Sequence, residues 1–416
     1  MTQQVNTSKL FVASCMALVV TSLSFGIRAG ILDKLGAEFN LSTAELGTIA
    51  STAFWGFPLS VIIGGMVVDK IGMKTLLSIG FVLHLLGIVM TIFAGGFWAL
   101  FLSTLCIGLA NGIVEAACNP LIATIFPDRK TTKLNHFHLW FPGGIVIGTL
   151  IGFTGMDWHI QMALMIIPTL FYGYLFYQLA FPVTERVASG VSDGEMYQAC
   201  LQPLFLFMIV CMFGTAITEL FTNQWIEVLL KAVNNNAILI LTVTGLIMVI
   251  GRGLAEPVVQ KLSASGVLLT SAVLATLGMY IIGHSSGNTI FLGAVVFGMG
   301  VCYFWPTMIG FVAENMPKTG AVGMNLMGGA GMFATSVYTI LMGKHYDSLL
   351  LGKLPQGSIL DEYTAKTASL EMQTALGVAK IAAGPEVINF TMMIPAALIL
   401  AFGALYFVNR KKTVSV

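Results

Sequence analysis

Apolar runs of about 20 residues recur along the whole chain, and this feature limits its fold more than any other. A helix needs about 20 mostly apolar residues to cross the hydrocarbon core of a bilayer. Hydrophobic residues make up 56% of the 416 residues and charged residues only 9%, against about 25% charged in soluble domains. Lipid must therefore be the solvent for most of the surface, and we expect an all-α integral membrane protein. The twelve predicted spans are 10–32, 46–67, 75–95, 98–125, 136–154, 161–182, 203–230, 237–257, 266–284, 288–314, 322–345 and 387–408.

A polar segment after the sixth run divides the spans into two equal groups. The sequence predicts a six-helix bundle at 1–182, a cytoplasmic linker at 183–202 and a second six-helix bundle at 203–416. The second bundle carries a polar insertion at 346–386, which we expect on the outer side. Cytoplasmic loops of membrane proteins carry an excess of lysine and arginine. In this chain the excess falls in the loops on the side of the N-terminus, so both termini are expected to be cytoplasmic. A multi-pass protein of a bacterial inner membrane, acting as a monomer, is the expectation.

Cysteines and enzyme motifs give no sign of a cofactor. The six cysteines lie mostly in apolar runs, which is typical of small buried side chains rather than of disulfides or a metal site. The sequence contains no HExxH helix, nucleophile elbow or phosphate loop, so we expect neither an enzyme nor an ATP-driven pump. The sequence has no basic run of the kind that binds nucleic acid. It also has no added signalling domain of the kind that a transporter-like sensor carries, so we expect neither function.

The loop between the second and third spans reads GGMVVDKIGMK, residues 64–74. Its glycines suit a tight turn, and Asp69 can pair with a basic group or a helix end to latch the cytoplasmic side. This spacing resembles the loop signature of the major facilitator superfamily, which implies two six-helix bundles around a central cavity that works by alternating access. The equivalent place in the second half is degenerate, and Arg252 and Glu256 are expected to pair there across one helical turn. The predicted latch residues are Gly65, Asp69, Lys70, Gly72 and Lys74.

Three polar residues on the fourth span, Asn111, Glu115 and Asn119, recur every four residues and form one slanting stripe. An ionisable residue inside a span is costly, and Glu115, buried in an apolar setting, can carry a proton at neutral pH. The pattern of glycine, glutamate, small residues, asparagine and proline resembles the fourth span of the fucose–proton symporter family. That resemblance implies that Glu115 and Asn119 line a sugar site. The alternative is a polar seam between helices.

Other stretches resemble the same family. The segment KLNHFHLWFPGG opens the fifth span, and the resemblance places His138 at a polar position facing the cavity. Trp140 offers a flat face for a sugar ring, although core packing is an equal alternative for both residues. His136 and His138 point in different directions on a helix and make a poor metal pair. FWPTMIGF and NLMGGAGMF, in spans ten and eleven, add Trp305 and Asn325 as candidate solute-binding residues.

The seventh span reads TAITELFTNQWIEVLL. In major facilitator proteins this span faces the cavity from the second half. Glu219 and Asn223, one turn apart, are therefore candidates to bind solute hydroxyls, with Trp225 beside them. Glu219 is also a second candidate for proton coupling, together with Glu115.

The first span departs from the fucose-symporter pattern. That family carries an acidic residue here for proton coupling, whereas this chain has Arg28 and Ala29. Arg28 resembles instead the span-one arginine of organophosphate and sugar-acid transporters, whose planar guanidinium binds a carboxylate or phosphate through two hydrogen bonds. The alternative pairs Arg28 with Glu115 or Glu219.

These residues predict a secondary active transporter for a small polar solute, most simply a sugar or sugar derivative moved with protons. The second hypothesis is a symporter for an organic anion such as a sugar acid, held by Arg28. Uncoupled facilitation is the third, because buried acids can be purely structural.

Overall fold

The computed structural model describes residues 4–234, 237–365 and 367–414, and within these ranges every regular element is a helix. In chain order they are α1 (Thr7–Glu38), α2 (Thr43–Ile71), α3 (Met73–Ile92), α4 (Phe97–Ile125), α5 (Lys130–His138), α6 (Trp140–Phe153), α7 (Trp158–Leu164), α8 (Ile166–Gln178), α9 (Glu185–Ala188), α10 (Asp193–Cys200), α11 (Pro203–Ala216), α12 (Thr222–Leu230), α13 (Ala237–Gly253), α14 (Ala255–His284), α15 (Thr289–Val301), α16 (Phe304–Asn315), α17 (Gly320–Lys353), α18 (Leu360–Thr364) and α19 (Leu370–Val414).

All twelve predicted spans are helical, which confirms the predicted fold class. By length and composition, ten helical segments of the described chain can each cross a membrane. The other two are the fifth span, which is divided into α5 and α6, and the eighth, whose apolar helix is shorter. The fifth is interrupted because Pro142, in the first turn of α6, has no backbone N–H to donate to the carbonyl of His138.

The boundary between the eighth and ninth spans differs from the sequence-based expectation. The eighth span ends at Gly253 rather than at 257, and a further helical segment follows it at once. That segment, the first part of α14, ends where Ser263 adopts φ 59° and ψ 166°, far from helical values. The ninth span is the part of α14 after Ser263. A polar stretch between two spans therefore forms a helix of its own instead of a loop.

Much of the polar insertion at 346–386 is helical. The eleventh span continues in α17 as far as Lys353, and α19 begins at Leu370. With 45 residues, α19 extends over about 68 Å at 1.5 Å per residue, about twice the thickness of the hydrocarbon core. Lys353, the last residue of α17, pairs with Glu386 within α19 over 2.7 Å. Lys366, also in the insertion, lies outside the described residues.

The chain forms two compact units. The first comprises Met1–Val210, Arg252–Ala264 and Pro306–Phe333, and the second comprises Cys211–Gly251, Ser265–Trp305 and Ala334–Val416. The first unit thus contains the whole first half of the chain with two segments of the second half. The division into bundles at 1–182 and 203–416 stays a prediction.

In the first unit, α4 is the central helix, packed against α2 and α3. The contact with α2 is close because glycines on α4 carry no side chain. A Cβ on Gly112 would lie 2.1 Å from the Oγ of Ser60, so only glycine fits there. This close packing buries the middle of α4 completely, including its polar stripe.

Candidate functional site

Glu115, Asn119 and His138 form a buried hydrogen-bonded chain in the first unit. Glu115 and Asn119 lie one turn apart on α4, and all three residues are at most 2% exposed. The Nδ2 of Asn119 donates to Glu115 Oε2 over 3.2 Å, and its Oδ1 lies 3.1 Å from His138 Nε2. The Nδ1 of His138 lies 4.0 Å from the other carboxylate oxygen, Glu115 Oε1. The structure therefore brings together three predicted site residues from two helices.

A fourth residue, Arg252, joins this cluster and was not among the predicted site residues. Its guanidinium is 1% exposed and donates to the carbonyl oxygen of His138 over 2.9 Å. That carbonyl is available because Pro142, four residues later, has no N–H. An arginine at the end of an apolar run, together with a proline four residues after a histidine, was the only sequence signal for this contact.

The predicted pair of Arg252 and Glu256 is wrong. Glu256 pairs with Arg129 over 2.9 Å at an exposed site. Arg252 lies in the last turn of α13, whereas Glu256 lies on the next helix, so the two side chains do not share one helical face.

Asn111, the third member of the predicted stripe, belongs to a separate network. Its Oδ1 lies 2.8 Å from His84 Nε2, and its Nδ2 donates to the hydroxyl of Ser24 over 3.1 Å. The other nitrogen of His84 lies 2.9 Å from the hydroxyl of Tyr172. These bonds join α1, α3, α4 and α8, so this part of the stripe serves as a seam between helices. Its role in solute binding stays a prediction.

Arg28 is half-buried on α1 and lies over an aromatic ring. Its guanidinium carbon is 5.2 Å from the centroid of Phe25, which itself contacts Phe54 and Phe141. Within the described part of the first unit Arg28 forms no ion pair, and so it does not pair with Glu115. In this part of the chain the described partner of the cation is the Phe25 ring. Trp140, the remaining candidate near this helix, is half-buried, and its carbonyl accepts from Ser22.

The acidic residue of the loop signature lies against the linker. Arg186 Nε donates to Asp69 Oδ2 over 2.6 Å, and Thr184 Oγ1 donates to Asp69 Oδ1 over 2.5 Å. Both charged side chains are nearly buried, at 5% exposed for Asp69 and 6% for Arg186. Arg186 also contacts Asp193, 3.1 Å away. Asp69 thus joins the end of α2 to the segment that begins the linker.

The other signature residues have distinct environments. Gly72 has φ 84° and makes the turn between α2 and α3, a conformation that favours glycine. Lys74 donates to the carbonyls of Tyr177 and Leu179 at the end of α8, and Lys70 is exposed. Gly65 was expected to lie in the turn between α2 and α3, but it lies inside α2.

Gly65 instead provides space for Asn325, a predicted solute-binding residue. A Cβ on Gly65 would lie 2.6 Å from the Cβ of Asn325. The amide of Asn325 donates to the carbonyl of Ala116 over 3.0 Å. As with His138, that carbonyl is available because a proline, Pro120, follows four residues later.

Asn325 has a counterpart in the first half. Asn135 and Asn325 each lie eight residues after a proline that opens a 3₁₀ turn, Pro127 and Pro317. Asn135 donates to the hydroxyl of Thr307 over 3.2 Å, so each asparagine binds a helix of the other half of the chain. This equivalence indicates that the two halves of the chain are an internal repeat. The two equal groups of spans alone had suggested such a repeat without any matching residues.

In the second unit, Trp225 belongs to an aromatic cluster. It stacks on Phe221 with centroids 5.5 Å apart, and its edge contacts Tyr346. Tyr338 meets Phe221 edge-on at 4.9 Å. The sequence singled out Trp225 but none of the three other rings. Phe221 lies four residues before it, and Tyr338 and Tyr346 lie on α17.

The other candidates of this unit are also buried or nearly so. Glu219 lies in a π-helical turn at Ile217–Phe221 and is 3% exposed. The amide of Asn223 lies 3.9 Å from the sulfur of Met248, a weak contact that leaves the amide able to bind a stronger partner. Trp305 is 7% exposed. A π-turn inside a helix is often found at functional sites, and the role of Glu219 stays a prediction.

Curated proteins with similar sequences are transporters of several solutes. The D-xylose transporter of Levilactobacillus brevis is 23% identical over 180 residues, which cover 42% of this chain and 39% of that protein. The cis,cis-muconate transport protein of Acinetobacter baylyi is 28% identical over 169 residues, which cover 38% of this chain and 40% of that protein. The match thus spans about two fifths of the length of these relatives.

Solved structures with the same fold cover nearly the whole chain. The E. coli fucose:proton symporter FucP matches with a TM-score of 0.69 and 14% identity, covering 93% of this chain and 98% of that chain. The proton:xylose symporter XylE matches with a TM-score of 0.71 and 14% identity, covering 91% and 94%. At this identity the likeness establishes the fold.

The sequence family confirms what the loop signature and the twelve spans indicate. The family model described as Major Facilitator Superfamily matches residues 14–343, which is most of the chain. The chain belongs to the major facilitator superfamily.

Proposed function

We propose that this protein is a secondary active transporter that moves a sugar or sugar derivative together with protons by alternating access. The observation that carries the proposal is the buried chain of Glu115, Asn119 and His138. A carboxylate and two polar side chains in the middle of a membrane-spanning helix pair are costly to bury, and such groups mark solute and ion pathways. The D-xylose transporter among the relatives and the sugar:proton symporters among the structural neighbours support the same solute class.

The chemistry of these groups suits a sugar. An asparagine amide both donates and accepts, and a carboxylate accepts, so Glu115 and Asn119 can bind neighbouring hydroxyls of one ring. Considered by itself, the second unit has the same chemistry, since Asn223 has an amide and Trp225 an apolar face of the kind that packs against a sugar ring. Glu115 and Glu219 are the groups we propose for proton coupling.

We further propose that the Asp69–Arg186 ion pair latches the cytoplasmic side between transport steps. The pair is nearly buried and joins a span to the linker, so it must break before these elements separate. With this role we propose that the linker and both termini lie in the cytoplasm, and that the protein resides in a cytoplasmic membrane.

A second candidate solute is an organic anion. The observation in its favour is Arg28, a half-buried guanidinium held over Phe25 without an ion pair in the described part of its unit. An arginine in this state can bind a carboxylate through two parallel hydrogen bonds. The similarity to a cis,cis-muconate transport protein agrees with this chemistry.

Ligand-induced thermal stabilisation of the purified protein separates these candidates. The panel contains D-xylose, fucose and cis,cis-muconate, each measured on the wild type, Glu115→Gln and Arg28→Ala. A ligand that binds only the folded state raises the melting temperature by mass action. Glu256→Gln, which alters an exposed carboxylate on α14, is the matched control.

For a sugar transporter, we expect a neutral sugar to stabilise the wild type and the Glu256→Gln control but not Glu115→Gln. If only muconate stabilises, and Arg28→Ala removes that effect, the solute is an anion and the sugar proposal fails. Proton coupling is tested in proteoliposomes, where an inside-alkaline pH gradient should drive accumulation of the sugar found. Equal filling with and without the gradient would identify an uncoupled facilitator.

A further inference from the structure

The hydrogen bonds of Asn119 determine which nitrogen of His138 carries the proton. The amide nitrogen of Asn119 donates to Glu115 Oε2, so its oxygen faces His138 Nε2 at 3.1 Å. An amide oxygen only accepts, and the His138 nitrogen facing it must therefore be the donor. In a neutral imidazole the other nitrogen, Nδ1, is then a bare acceptor.

That bare acceptor faces a carboxylate oxygen. The Nδ1 of His138 lies 4.0 Å from Glu115 Oε1, and both side chains are at most 3% exposed. With no proton between them, a nitrogen lone pair opposes a carboxylate oxygen in a dry environment. With one proton, the pair is neutral whether Glu115 or His138 carries it, and at 4.0 Å the two atoms interact electrostatically rather than through a hydrogen bond. The arrangement thus favours one proton on the pair, held by either residue.

Arg252 sets the charge of this arrangement. With one proton, the pair of Glu115 and His138 has no net charge, and the guanidinium of Arg252 places a positive charge close to it. When the proton leaves, the pair becomes an anion beside a guanidinium that is bonded to the His138 carbonyl at 2.9 Å. The cation offsets the charge that the departing proton leaves behind, so the empty form is accessible as well as the loaded one.

We propose that Glu115 and His138 together hold the transported proton, with His138 as a proton-carrying partner and Asn119 and Arg252 as positioning residues. On loading, one bond forms, either O–H on Glu115 Oε1 or N–H on His138 Nδ1, and the proton comes from hydronium, which becomes water. The inference rests on the proposed proton-coupled transport and adds a second residue to its proton site.

Other groups of the described first unit lie close to the pair. Arg252, near the end of α13, donates to the carbonyl of His138. Cys118 lies three residues after Glu115 on α4, and Cys118 and Cys15 are both buried free thiols.

The test uses the full-length protein in detergent without any solute. Infrared difference spectra are recorded during a pH titration of the wild type, Glu115→Gln, His138→Gln and His136→Gln. The carbonyl stretch of a protonated carboxylic acid that Glu115→Gln abolishes reports the protonation of Glu115. His136→Gln is the matched control, since it removes an imidazole from the same helix α5 that is not bonded to Glu115 or Asn119 in the described structure.

We expect His138→Gln to shift the titration midpoint of this band by about one pH unit or more, because the two sites interact. His136→Gln should leave the midpoint where it is in the wild type. Equal midpoints in the wild type, His136→Gln and His138→Gln would overturn the inference, whatever the protein transports.

A second measurement follows uptake of D-xylose into proteoliposomes, with and without a pH gradient. Gradient-driven accumulation in His138→Gln should fall to the level without a gradient, while His136→Gln accumulates as the wild type does. Accumulation in His138→Gln equal to that in His136→Gln also overturns the inference. If the wild type does not take up D-xylose, the proposed solute fails, and the infrared titration still decides the role of His138.

Discussion

At the scale of single residues, burial distinguishes two ion pairs that look alike in the sequence. Arg186 and Asp69 have side chains 6% and 5% exposed, whereas Arg129 and Glu256 are 56% and 38% exposed. A buried pair broken on one side leaves a charge without its partner, which costs about 3–5 kcal/mol. An exposed pair contributes about 0–1 kcal/mol, since water and salt replace the partner.

We therefore expect Arg186→Leu to lower the free energy of unfolding by about 3–5 kcal/mol, because Asp69 stays buried. Arg129→Leu should lower it by less than about 1 kcal/mol. Chemical unfolding of both variants in detergent, followed by tryptophan fluorescence, measures the difference. Equal losses in the two variants would show that Asp69 reaches water when Arg186 is absent, and the pair would then be no latch.

At the scale of helices, two prolines in the first half prepare acceptors for residues of the second half. Pro120 and Pro142 each leave the carbonyl four residues earlier without its helical donor. The carbonyl of Ala116 accepts from Asn325, and that of His138 accepts from Arg252. Other carbonyls inside a helix accept hydrogen bonds from N–H groups of the same helix. These two carbonyls can therefore accept from side chains of other helices.

A double-mutant cycle tests this interpretation at Ala116. Asn325→Ala should cost about 1–3 kcal/mol, because it leaves a buried carbonyl without a donor. Adding Pro120→Ala restores a backbone N–H within α4, so the double variant should recover part of that loss in chemical unfolding. Pro58→Ala, which changes a proline in α2 and leaves Ala116 untouched, is the control. If Pro58→Ala restores stability to Asn325→Ala as well as Pro120→Ala does, the effect is not due to the carbonyl of Ala116.

At the scale of the whole molecule, the distribution of lysine and arginine predicts that both termini and the linker lie inside the cell. We expect a cysteine at Ala188, an exposed linker residue, to react with a membrane-impermeant maleimide only after the cells are permeabilised. A cysteine at Gln356, an exposed residue between α17 and α18, should react in intact cells. Both substitutions are made in a variant whose six native cysteines are alanine. The opposite labelling pattern would invert the orientation.

The agreement between prediction and structure differs with the kind of feature. Span positions were predictable because each run of apolar residues reports its own environment locally. The helical structure of the 346–386 insertion was only partly predictable, since polar residues are compatible with either a helix or a loop outside the bilayer. Of the candidate site, Glu115 and Asn119 came from a local pattern on one helix. Arg252 did not, because its contact with His138 joins residues far apart in the chain.

By itself the sequence determined that this chain is an integral membrane protein, how many helices cross the membrane and to which superfamily the chain belongs. The physical reason is that bilayer thickness and the cost of burying charge act on short stretches of sequence. Only the tertiary structure decided which polar residues meet: Asp69 with Arg186, Asn325 with the carbonyl of Ala116, and His138 with Glu115. Those contacts depend on helix packing, where a missing side chain at Gly65 or a missing N–H at Pro120 admits a partner from a distant part of the chain.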